Sequence, residues 1–135
     1  MTYDWHGYYD IAVKLLGGEP ISTGKSETEY RVATSRLYYS AFILARNYLR
    51  DYEGRDDIGK SKDDHNNVPI LFKHDKDKKN QAIGYNLDRL RKLRNYADYD
   101  DNIRNPLNMA EKAFNNASEV ITRIDILMST GSNHD

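Results

Sequence analysis

The chain has 135 residues, 20 Lys and Arg against 21 Asp and Glu, a formal net charge of -1 and no cysteine. That length suits one domain, and the lack of cysteine excludes a disulfide scaffold and any thiolate nucleophile or metal site. No run approaches the roughly 18–20 apolar residues of a membrane span, and Met1-Thr2-Tyr3-Asp4-Trp5-His6 lacks the basic start and apolar stretch of a secretory signal, so a cytoplasmic protein is expected.

The first apolar pattern, Trp5, Tyr8/Tyr9, Ala12 and Leu15/Leu16, steps by three and four residues. It predicts a helix from Asp4 to Leu16, stopped by Gly17-Gly18. Residues 19–25, with Pro20 and Gly24, read as a loop. Ser26-Glu27-Thr28-Glu29 then offers a capping box. Behind it Tyr30, Ala33, Leu37, Ala41, Leu44 and Tyr48 run on without Gly or Pro to Glu53, which predicts a long second helix. Residues 50–80 carry eight basic and eight acidic side chains around one apolar island, Val68-Pro69-Ile70-Leu71-Phe72. Within that stretch, residues 51–78 are expected to form a mobile charged loop holding one short helical turn. The next helix is predicted over Lys79–Tyr99, with Ile83, Leu87, Leu90 and Ala97 on one face. Asn105-Pro106 supplies an N-cap and a first-turn proline for the last helix. Its seam is Ala110, Phe114, Ala117, Ile121, Ile124 and Met128, and residues 129–135 are expected to fray. The pattern is that of one all-α domain over residues 1–128, an antiparallel four-to-five-helix bundle with a long second helix.

Near-zero net charge speaks against a protein that coats nucleic acid, but it leaves local basic faces open. Arg89, Arg91, Lys92 and Arg94 form one such run, ahead of Asp98, Asp100 and Asp101. One reading is a solvated face with an Arg94–Asp98 pair one turn apart. The other makes Arg94 a phosphate clamp, since a planar guanidinium grips phosphate oxygens and keeps its charge. Asn95, Asp98 and Tyr99 would then be its polar neighbours. Arg36 and Tyr39 border the seam of the second helix, where Arg36 either pairs with Asp98 or joins Arg94 in one pocket. The four histidines show no metal-ligand spacing, so no metal is expected. His65 is either a surface histidine or a group that the loop folds over onto a site. Glycine-rich phosphate loops, dinucleotide fingerprints and serine-hydrolase elbows are absent.

Three stretches together resemble the HEPN superfamily (higher eukaryotes and prokaryotes nucleotide-binding). Arg36–Arg46 (RLYYSAFILAR) resembles the long second helix of its small stand-alone members. Leu93–Asp100 (LRNYADYD) is similar to their R-x-x-A-D-Y-D signature, and His65–Phe72 (HNNVPILF) to a segment that stands between the two. The resemblance implies a helical bundle that forms a homodimer through its motif helices, with the site in the cleft between them, no cofactor, and RNA or a nucleotide as ligand. Many such proteins are metal-independent ribonucleases of toxin–antitoxin, CRISPR or anti-phage systems, and small ones often pair with a minimal nucleotidyltransferase antitoxin. On this resemblance Arg94, Asn95, Asp98 and Tyr99 would be catalytic, with Arg36, Tyr39, Arg91 and His65 contacting RNA or phosphate. The family's usual motif is an Arg, a polar residue and, a few residues on, a His. Arg94 and Asn95 match its start, but Tyr99 stands at the earliest position for the His. Metal-free cleavage needs the 2′-hydroxyl deprotonated, the leaving oxygen protonated and the phosphorane's charge stabilised. Arg94 suits the last task, whereas a tyrosine with a pKa near ~10 is a poor base and an aspartate near ~3.9 a poor acid. Three outcomes are open. His65 reaches in from the loop, two copies of Arg94 and Asp98 do weak chemistry across a dimer, or the fold keeps its cleft without catalysis. The corresponding functions are an RNA-targeting toxin or defence ribonuclease, a non-catalytic dimer partnering a nucleotidyltransferase, and a plain helical interaction domain.

Overall fold

Helix boundaries follow from local chemistry in a computed structural model that describes residues 2–131. The elements in chain order are α1 (His6–Leu15), α2 (Glu27–Asp51), α3 (Asp64–Lys73), α4 (Lys78–Tyr99) and α5 (Pro106–Gly131). The capping box at α2 is formed: Glu29 N–H donates to Ser26 Oγ at 3.1 Å and Ser26 N–H to the Glu29 carboxylate at 2.9 Å. Asp77 caps α4 by accepting from Lys79 N–H at 2.8 Å, and Asn105 Oδ1 accepts from Asn108 N–H at 3.0 Å at the start of α5. α1 stops where Gly17 and Gly18 take φ of 83° and 98°, left-handed values that cost glycine little.

α2 is the central helix and packs against all four others. Side-chain pairs fix the directions of its neighbours. Trp5 and Tyr8 of the α1 end meet Ser40 and Arg36, and Arg31 and Tyr38 of α2 meet Ala97 and Arg94, so α1 and α4 both run antiparallel to α2. Asn80 and Asn86 meet Arg123 and Glu119, which sets α5 antiparallel to α4. The core is drawn from one stripe of each long helix, including Leu37, Ala41 and Ala45 of α2, Leu87 and Leu90 of α4, and Ala110, Ala117 and Ile124 of α5. Five helices with these seams make the expected all-α bundle. Among the described residues no helix is long and apolar enough to cross a membrane.

Two boundaries differ from the expectation. The predicted loop over 51–78 with a single short turn instead contains α3, 10 residues long. Its stripe of Val68, Pro69 and Phe72 is buried together with Asp64, one of the charges that suggested a solvated loop, and the other charges of residues 50–80 lie outside the buried stripe. α5 also runs on past Met128 to Gly131, where the Thr130 hydroxyl donates to the Ile126 carbonyl at 3.1 Å; residues 132–135 of the expected tail lie outside the described residues.

Candidate functional site

The antiparallel register of α2 and α4 brings the two motif stretches side by side. Arg31 donates to the Ala97 carbonyl at 3.1 Å and anchors the end of α4, and the Ser35 hydroxyl donates to Asp98 at 3.3 Å. One turn further along, the Arg94 guanidinium lies over the rings of Tyr38 and Tyr39, 5.1 and 5.4 Å from their centroids. It also pairs with Asp98 at 3.8 Å, the spacing expected one turn apart. The Arg94 side chain is only 11% exposed, and its buried Nε has no hydrogen-bond partner among the described residues. A buried unsatisfied donor costs about 1–3 kcal/mol, so the group calls for a partner such as a bound water or a ligand atom.

α3 delivers His65 to the same place. The imidazole stacks on Phe42 at 4.3 Å between centroids with 7° between planes, and its Nδ1 lies 2.5 Å from the Tyr38 hydroxyl. Close helix packing makes this reach possible. A Cβ at Gly84 of α4 would fall 2.5 Å from the Pro69 carbonyl oxygen of α3, so only glycine allows this approach. Arg91 donates to the Asn66 side chain, and Lys73 pairs with Asp88, which ties α3 to α4 at both ends. Asp64, 4% exposed, accepts from Gly59 N–H at 2.9 Å and leaves its Oδ1 unpartnered beside His65 in the chain.

The electrostatics of the cluster are one-sided. Burial, then the positive charges of Arg91 and Arg94, hold the His65 pKa below its ordinary value of 6.5, against an opposing pull from Asp64. His65 is therefore neutral at pH 7. Burial raises the Tyr38 hydroxyl to about 12, outweighing Arg94 and Arg91, so Tyr38 remains a phenol. With two cations near the phenolic oxygen, its proton is directed to His65 Nδ1, which places the imidazole proton on Nε2.

The predicted residues divide accordingly. Arg94, Asp98, Tyr39, Arg91 and His65 come together. Asn95 and Tyr99 do not: both are exposed, Tyr99 by 75%, and neither contacts the cluster. They lie on the solvent side of α4, because a residue one or five steps from Arg94 is rotated about 100° or 140° away from it. Arg36 also stands apart. Its guanidinium lies over Tyr8 at 5.5 Å, on the α1 side of α2, and among the described residues it forms no ion pair with Asp98, which pairs with Arg94 instead. Tyr38, Phe42, Ser35 and Asp64 are members of the site that sequence reasoning did not assign. The spacing of Ser35, Tyr38 and Phe42 by three and four residues puts them on one face of α2, a signal obscured because the same face reads as core. Among the described residues no three His, Asp or Glu side chains converge as metal ligands.

Comparison with known proteins finds one match: residues 24–127, well over half of the chain, fit the family model of the HEPN domain. No curated protein and no solved structure matches the chain.

Proposed function

The chain belongs to the HEPN family, and from that premise we propose that it is an RNA-targeting protein of the toxin or defence type that cleaves RNA without a metal, with Arg94 as phosphate clamp and His65 as the proton-transfer group. The observation that carries this reading is the neutral His65 held against Tyr38 beside a buried Arg94 with a free Nε. His65 comes from α3 and replaces the histidine that Tyr99 displaces from the motif helix.

In the proposed step the 2′-oxygen attacks its neighbouring phosphorus, the bond to the 5′-oxygen breaks, and a 2′,3′-cyclic phosphate and a free 5′-hydroxyl result. Arg94 takes the growing negative charge on the phosphorane oxygens. Because the resting ring carries its proton on Nε2, the step begins from the other tautomer, in which the imidazole proton sits on Nδ1 and is donated to the Tyr38 oxygen, the Tyr38 proton having turned to the phosphate. Nε2 of that tautomer accepts the 2′-hydroxyl proton; the 5′-oxygen takes its proton from water, and the hydroxide left behind takes the extra proton from the imidazolium. Homodimer formation, common among HEPN domains, would set two such faces across one cleft.

A second reading has one observation in its favour. The cations near Tyr38 keep the proton on His65 Nε2, where the ring donates hydrogen bonds and accepts none. On that reading the same face binds RNA or a nucleotide without cleavage, in a dimer that partners a minimal nucleotidyltransferase.

Incubation with transfer and messenger RNA in EDTA separates the two. Cleavage should fall about 100- to 1,000-fold in Arg94→Ala, the usual cost of losing one oxyanion-stabilising donor. His65→Asn should lose about 100-fold or more, the usual worth of a general base. Tyr99→Phe should cleave as the parent does. RNA left intact by the parent protein, with binding retained, would leave the non-catalytic reading; binding indifferent to Arg94→Ala would remove the site altogether. A monomer by light scattering at micromolar concentration would remove the shared cleft.

A further inference from the structure

α4 has a second functional-looking face. Tyr96 follows Arg94 by two residues and so points about 200° away, toward α5. There two adjoining cavities of about 460 and 300 Å³ share Leu93, Tyr96 and Lys112, a size that suits small-ligand or nucleotide-sized groups. Arg89 and Lys92 line one cavity and Arg104 the other, while Asp100 is the one carboxylate lining either. Arg89 donates to Asn86, but Lys92, Arg104 and Lys112 have no ion pair among the described residues. The protein thus leaves four cations along one groove with almost no charge of its own to meet them. Between them the Tyr96 ring is 52% exposed, and Asn108, Asn115 and Asn116 supply amides.

We propose that the α4–α5 groove binds a short run of single-stranded nucleic acid, with phosphates on Lys92, Lys112, Arg89 and Arg104 and one base stacked on Tyr96. The cations are strung along both walls and the far end instead of converging on one point, which fits a phosphodiester backbone better than the clustered phosphates of a free nucleotide. An exposed aromatic ring between them offers a stacking surface that only an unpaired base can use, which selects a single strand over a duplex. The groove lies across α4 from His65 and requires no chemistry at the Arg94 face. It would hold the flank of an RNA and lengthen the footprint of the chain.

The test is fluorescence anisotropy with a labelled oligouridylate of about 10 nucleotides, within the usual span of such sites, across a salt series. Tyr96→Ala should weaken binding about 5-fold or more, the worth of one base–aromatic stack. Lys92→Glu with Lys112→Glu should weaken it further and flatten the logarithmic salt dependence by about 1.4, at about 0.7 for each phosphate contact to a single strand. Because these side chains lie at the surface, circular dichroism melts should be unchanged. Repeating the series in an Arg94→Ala background separates the two faces, and the groove's losses should persist there. Unchanged affinity and salt slope would overturn the proposal, as would losses that vanish in that background. Binding of AMP but not of the oligonucleotide would assign the groove to a free nucleotide instead. A change of oligomeric state in the double variant would make it a self-association face.

Discussion

The two faces of α4 handle positive charge in opposite ways. On the α2–α3 face, Arg94 is nearly buried, sits on two tyrosine rings and answers to Asp98. On the α5 face, Lys92, Lys112 and Arg104 stand around an open groove with no ion pair among the described residues. A buried guanidinium loses hydration, so the protein must supply rings and a carboxylate to hold it. Such a group is fixed in one geometry, as chemistry at a phosphate requires. Exposed lysines keep their water, cost little, and adapt to a flexible backbone at the expense of precision. One helix can therefore present a rigid site and a compliant track, separated by half a turn.

Three perturbations break this contrast in graded ways. Leu90, fully buried between the faces, supports both. Leu90→Ala should cost about 2–5 kcal/mol in a urea melt, the range for leucine truncation in a core, and should impair both faces together; a loss confined to one face would show that they do not share α4 as a rigid wall. Gly84→Ala should act on one face alone. Its Cβ would collide with the Pro69 carbonyl, push α3 outward and cost about 1–3 kcal/mol. The His65 ring signals in NMR should then lose the upfield shift that stacking on Phe42 produces, while oligouridylate binding at the groove stays as it was.

The smallest effect is a pair of titrations with opposite sign. Because the His65 pKa is lowered in the folded protein, its neutral form stabilises the fold above the unfolded value of 6.5, and this contribution is lost as pH falls through the lowered value. His6 behaves in reverse. Burial opposes its charge, but hydrogen bonds to Asp4 and Asp125 outweigh burial and raise its pKa. Its contribution is complete below 6.5 and is lost as pH rises through the raised value. Two-dimensional NMR titration should place His65 below and His6 above 6.5. The same order in a urea-unfolded sample would show that the fold is not the cause. If His65 is the base, RNA cleavage should rise with pH through its lowered pKa and level off above it.

Much of the framework was legible along the chain. The Ser26–Glu29 cap, the Gly17-Gly18 stop, and the three- and four-residue steps of α2, α4 and α5 are local signals, each decided by a few neighbouring residues. The Arg94–Asp98 pair was legible for the same reason, being one helical turn. α3 was not, because its sixteen flanking charges conceal the short stripe of Val68, Pro69 and Phe72, and a stripe that short declares itself only when a partner covers it. Asn95 and Tyr99 were included on their nearness to Arg94 in the chain, although helix rotation turns them to solvent.

What the sequence determined by itself was therefore the helices, their ends and the residue types available for phosphate chemistry, since these depend on interactions within a turn or two. The tertiary structure alone decided which of them meet. His65 lies 27 residues from Tyr38 and reaches its hydroxyl only because Gly84 lets α3 close on α4. Contacts between distant segments rest on packing that no local pattern encodes, and in this protein that packing separates the largely buried cluster of His65, Tyr38 and Arg94 from an open basic groove on the far side of the same helix.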